Sequence, residues 1–142
     1  MKKKVLVILS WIAVAVCAGV IFYLSHQPGG QSQALSDGVS LSFNLPFGSF
    51  IVRKTAHFLE FAGLCTLICN ALYHTCGKFR PIVSVMFTAI YAASDEIHQI
   101  FIEGRACRLF DWFVDFGGAI CAAAVICLIT AIFRKMNRRS LR

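Results

Sequence analysis

The chain has 142 residues and a net charge of +7, yet 58% of its residues are hydrophobic and only 15% are charged. With a mean hydropathy of +0.70 it is too apolar for an ordinary soluble domain, and its length allows a single domain. The positive charge does not point to nucleic acid: basic residues bunch at Lys2 to Lys4 and at Arg134, Lys135, Arg138, Arg139 and Arg142, flanking apolar runs where membrane anchors belong.

Val5 to Leu24 is an uncharged run of the roughly 20 residues that a helix needs to cross a bilayer. It exceeds a signal-peptide core, and no A-x-A site follows it. Val14-Ala15-Val16-Cys17 has a bulky Val16 where a lipoprotein cleavage box needs a small residue, so an uncleaved first helix is expected. Ser25 to Val52, with Pro28, Gly29, Gly30 and many Ser and Gln, reads as an outer loop whose part from Ala34 to Phe47 lies on the membrane surface. A second span is expected over about 54–73 and a polar turn from His74 to Arg80. Pro81 to Ala93 alone would rise only about 20 Å against a hydrocarbon core of about 30 Å, so the third span must continue through Asp95, Glu96, His98 and Gln99 to about residue 101. The fourth covers 111–133, and 134–142 form a basic tail.

The expected fold is therefore an all-α bundle of four transmembrane helices. It puts ten Lys and Arg on the side of both termini and four, Arg53, Lys54, Arg105 and Arg108, on the other. By the positive-inside rule both termini are cytoplasmic, in a multi-pass protein of the bacterial plasma membrane. The seven cysteines are odd in number and five, Cys17, Cys65, Cys69, Cys121 and Cys127, fall inside spans, so they read as small packing residues and not as a disulfide framework.

Ionisable groups are costly at membrane depth and mark function by default. Five of the seven carboxylates lie between Ser94 and Asp115. Counted inward from the outer ends, Glu60, Asp95 and Asp115 sit at one depth, roughly 6 to 9 Å in, on three helices. The pairs His57/Glu60 and Asp95/His98 (i, i+3) and Asp95/Gln99 and Asp111/Asp115 (i, i+4) each share a helix face. One outward-facing, anionic pocket is expected, built from His57, Glu60, Asp95, Glu96, His98, Gln99, Asp111 and Asp115 with Arg105 as its rim cation. Small residues, Gly117, Gly118 and Ala122 to Ala124 on the fourth span and Ala89, Ala92, Ala93 and Ser94 on the third, allow close packing around it.

Ser25-His26-Gln27-Pro28-Gly29, Lys54-Thr55-Ala56-His57-Phe58-Leu59-Glu60-Phe61, Ser94-Asp95-Glu96-Ile97-His98-Gln99, Gly104-Arg105, and Asp111 with Asp115 before Gly117-Gly118 follow one another in a membrane setting. Together they resemble the VanZ-like family over nearly the whole chain. The family is named for a protein implicated in low-level resistance to the glycopeptide teicoplanin, so the resemblance implies a cell-envelope role.

Three functions suit such a pocket. It could bind an amphiphile's headgroup: a lipid, a lipid-linked wall precursor or a lipophilic glycopeptide. It could be a metal-dependent hydrolase or transferase, His57, Glu60, Asp95, His98 and Asp115 supplying ligands and a base for a divalent metal, although no spacing here is diagnostic of one. It could be a proton-coupled transporter. The purely structural alternative is interhelical glue, with Arg105 on Asp111 or Glu103 and His57 on Glu60 or Asp95, though bonds of that kind are individually weak. Whether the chain is an enzyme stays open at this point. Four helices barely enclose a pocket, so a homodimer is a further expectation.

Overall fold

A computed structural model describes residues 2–43 and 48–140, the side chains of 138–140 excepted. These residues form five helices and no strand: α1 (Lys2–Ser25), α2 (Gly29–Ser42), α3 (Gly48–Cys76), α4 (Pro81–Gln99) and α5 (Leu109–Ser140). Helix α3 is the hub, packing against each of the other four, while α4 also packs along α5. Its core face is a helical stripe of Phe61, Leu64, Cys65, Ile68 and Cys69, spaced three and four apart, which meets Ile21 of α1 and Ala92 of α4.

The other helices bury polar residues and expose apolar ones. The inward face of α4 is Ser84, Thr88, Ala92, Asp95, Glu96 and Gln99, at intervals of three and four, while Ile82, Met86, Phe87, Ile90 and Ile97 face outward. Helix α2 buries Ser36 and Ser40 and leaves Leu35, Val39 and Leu41 exposed, Leu41 to 81%. In water this arrangement would be inverted; in lipid it is stable, because the solvent is hydrocarbon and close helix packing needs small side chains. The buried hydroxyls turn back onto their own helices, Thr88 Oγ1 donating to the Ser84 carbonyl at 2.9 Å and Ser84 Oγ to the Arg80 carbonyl at 3.0 Å.

Polar side chains tie the helices together. The Tyr91 hydroxyl donates to the Ala18 carbonyl at 2.7 Å, Trp112 Nε1 to the Ala89 carbonyl at 3.1 Å, and Trp11 Nε1 to Thr75 Oγ1 at 3.1 Å. At the crossing of α3 and α5, a Cβ on Gly118 would collide with the Phe58 carbonyl oxygen, so only glycine lets the backbones approach this closely.

The structure corrects the sequence reading in three places. Three helices, not four, are long and apolar enough to cross a membrane: α1, α3 and α5. The 19-residue α4 fails because its inward face is polar and its last two turns hold Asp95, Glu96, His98 and Gln99. The expected outer loop 25–52 contains α2, and α3 starts at Gly48 instead of near Lys54. Packing of small serines against α3 overrides the loop-like composition of α2. Of the segment expected on the membrane surface, residues 44–47 lie outside the described residues. The basic residues after Phe133 continue α5 to Ser140, in keeping with the helix propensity of Arg, Lys and Met and with cations being favoured at a helix C-terminus.

Candidate functional site

The polar residues of α1, α3, α4 and α5 meet at one end of the bundle, organised by a junction of two glycines. The first residue of α2, Gly29, donates its N–H to the Glu103 carbonyl at 2.9 Å, and a Cβ there would run into the Gly104 carbonyl. Gly104 has φ of +72°, the left-handed conformation that glycine adopts freely, and this aims the following residue back across α1. That residue is Arg105. Its Nε donates to the Gln27 carbonyl at 2.9 Å and an Nη to the Leu24 carbonyl at 3.2 Å. The cation thus closes the C-terminus of α1, where free carbonyls and the negative end of the helix dipole favour it.

Lys54 forms an ion pair with Asp111 in the first turn of α5 and lies against the rings of Phe50 and Phe110. One turn deeper, the wholly buried Asp115 lies beside His57, Nδ1 to Oδ1 being 3.5 Å. At that length and alignment the contact is an electrostatic pair without a hydrogen bond, so His57 Nδ1 and both Asp115 oxygens lack a hydrogen-bond partner. His57 also lies within electrostatic range of Glu60 and Asp95.

Asp95 Oδ2 accepts from Ser25 Oγ at 2.7 Å and from Gln99 Nε2 at 3.0 Å, leaving Oδ1 unpartnered. Glu96 accepts the backbone N–H of Arg108 at 2.9 Å and so holds the entry to α5. His98 turns toward α1: Nε2 is 3.1 Å from His26 Nδ1, and the ring lies against Phe22 and His26.

Two cavities adjoin here. The first, about 80 Å³, is lined by Arg53, Lys54, His57, Gln99, Arg105, Arg108 and Asp111 together with Gly29 and Gly104, room for several waters or one small anion. The second, about 190 Å³, runs between α1, α2 and α3, with Leu24, Leu35, Val39, Val52 and Ala56 on its walls and Glu60 and Ser25 below. They share Arg53, His57 and Arg105.

Of the sequence candidates, His57, Gln99, Arg105 and Asp111 line the first cavity and Glu60 the second. Asp95, Glu96 and Asp115 are buried behind them, and His98 makes its contacts with α1. The mouth is cationic, not anionic. All four basic residues counted on the outer side, Arg53, Lys54, Arg105 and Arg108, line one cavity, which topology counting gave no reason to expect. Arg105 rests on backbone carbonyls and not on Asp111 or Glu103, because Gly104 turns it toward α1. Ser25, Arg53, Lys54 and Arg108 are site residues absent from the sequence candidates; for the three cations, the signal that could have found them is the confinement of every cation counted on that side to two short segments. Among the described residues, no three His, Cys, Asp or Glu side chains form a group able to hold a metal ion. His57, Glu60, Asp95, His98 and Asp115 are not gathered into one such group in this structure.

The family model VanZ/LLP1 matches residues 10–132, from within α1 to near the apolar end of α5. The chain belongs to the VanZ/LLP1 family. The match and the three long apolar helices identify a membrane protein of that family. Neither a curated protein nor a solved structure matches the chain.

Proposed function

We propose that this VanZ/LLP1 protein binds the headgroup of an amphiphile at the outer face of a bacterial plasma membrane and acts in the cell envelope, teicoplanin-type glycopeptides and lipid-linked wall precursors being the ligands of interest. The observation that carries the reading is the joining of a small polar cavity to an apolar-walled groove through Arg53, His57 and Arg105. A headgroup and a chain need that pairing of surfaces, whereas interhelical glue needs no cavity. In this reading α4 completes a four-helix crossing, its outward face supplying the apolar surface that its overall composition lacks, and both termini are cytoplasmic. The ten-to-four distribution of basic residues supports that orientation.

Filling the groove tests the function. Val39→Trp would block the chain-binding wall, and at normal membrane abundance it should abolish the survival advantage on teicoplanin and the retention of lipid through purification. Wild-type survival and lipid content in that variant would defeat the proposal. Orientation is tested in intact cells with a membrane-impermeant thiol reagent, which should label the exposed Cys107 in the turn before α5 and spare the exposed Cys76 at the end of α3; the reverse pattern would invert the topology.

A further inference from the structure

Resting on the amphiphile reading above, we infer that the headgroup is a phosphate ester, held by the guanidiniums of Arg53, Arg105 and Arg108, with the single chain of the ligand in the groove between α1, α2 and α3.

The charge balance of the first cavity carries this. Four cations and one carboxylate, Asp111, line it. Among the described residues Asp111 pairs with Lys54 alone, and no guanidinium forms an ion pair. Arg53 reaches only the Gln33 amide oxygen, at 3.5 Å. Arg105 is spent partly on neutral carbonyls. Glu96 is close to Arg108 but takes its backbone N–H and not its side chain. Three guanidiniums from three segments, α3 and the two ends of the turn before α5, therefore face one space without a direct ion pair among the described residues. Burial and then the charge of Arg53 pull the Arg105 guanidinium below its ordinary pKa, against the opposing pull of Asp95, Glu96 and Glu60.

Simple membrane anchoring explains this poorly. Anchoring cations spread along the interface, whereas these converge on a concave site in which Arg53 and Arg105 are half-buried. Guanidiniums arriving from several directions match the oxygens of a tetrahedral phosphate better than the two coplanar oxygens of a carboxylate, which a single arginine already satisfies. The groove is a single channel of about 190 Å³, suited to one chain.

The test uses the full-length protein in nanodiscs of neutral lipid, titrated with a farnesyl-length isoprenyl monophosphate, the matching alcohol, a single-chain fatty acid and inorganic phosphate. Binding of the lipid phosphate at least tenfold tighter than the alcohol and the fatty acid, and weakening with salt, is expected. Arg53→Gln with Arg108→Gln should reduce that affinity at least tenfold while leaving the melting temperature unchanged, since neither side chain holds an ion pair. Equal affinity for phosphate and alcohol would overturn the phosphate inference and leave the amphiphile reading standing, as would equal affinity for phosphate and carboxylate. Inorganic phosphate binding as tightly as the lipid phosphate would overturn the lipid source. Failure of all three amphiphiles to bind would sink both.

Discussion

Neighbouring glycines at the start of α2 should respond to alanine in opposite ways. A Cβ on Gly29 would collide with the backbone carbonyl of Gly104, and no side-chain rotation can relieve a clash with backbone; a Cβ on Gly30 meets nothing within 4 Å. To accommodate Gly29→Ala, α2 must lift from the turn that carries Gly104. That breaks the 2.9 Å bond from the Gly29 N–H to the Glu103 carbonyl, a loss of about 1 kcal/mol. Overpacking adds about 1 to 3 kcal/mol, for a total of about 2 to 4 kcal/mol. Gly30→Ala should be neutral or stabilising by up to about 0.5 to 1 kcal/mol, because alanine loses less backbone entropy on entering a helix. At about 3 °C per kcal/mol for a chain of this size, thermal unfolding in mild detergent should show Gly29→Ala lower by about 6 to 12 °C, with Gly30→Ala at or slightly above wild type. Because Gly29 and Gly104 also line the first cavity, Gly29→Ala should lose ligand binding as well. Equal melting temperatures for the two variants would refute the close approach of α2 to the turn, and with it the shape assigned to the site.

The same comparison applies where α3 crosses α5. Gly118→Ala should destabilise by about 1 to 3 kcal/mol through its collision with the Phe58 carbonyl, whereas at Gly117 the nearest atom, on the Phe58 ring, is 3.7 Å from the added carbon and the change should be nearly silent; matching melting curves would contradict the crossing. Ser25→Ala removes the 2.7 Å bond to buried Asp95 and should lower stability by about 1.5 kcal/mol or more. Ser25→Thr, which keeps the hydroxyl, should restore most of it, and a fully stable alanine variant would show that Asp95 does not depend on α1.

Much of the architecture was legible without coordinates. Val5 to Leu24 reads as a span because a helix needs about 20 apolar residues to satisfy its backbone within lipid, and the crowding of carboxylates between Ser94 and Asp115 marks the polar end of the bundle. The pattern failed where helices bury polar residues. Helix α4 places Ser84, Thr88, Asp95, Glu96 and Gln99 inward, so its composition understates how apolar its outer face is. Helix α2 reads as loop because its serines take meaning only once α3 is there to receive them. Depth along each helix is counted at 1.5 Å per residue, and that count put Glu60, Asp95 and Asp115 at one expected level. Direction does not follow from counting. That Asp115 faces His57, that His98 turns to His26, and that Arg105 closes α1 while three guanidiniums converge on one cavity depend on how helices rotate about their axes and on the left-handed turn at Gly104. Those rotations are decided by contacts between residues distant in the chain, such as Gly29 on Gly104 and Gly118 on Phe58, and so only the tertiary structure could give the expected anionic pocket a cationic mouth.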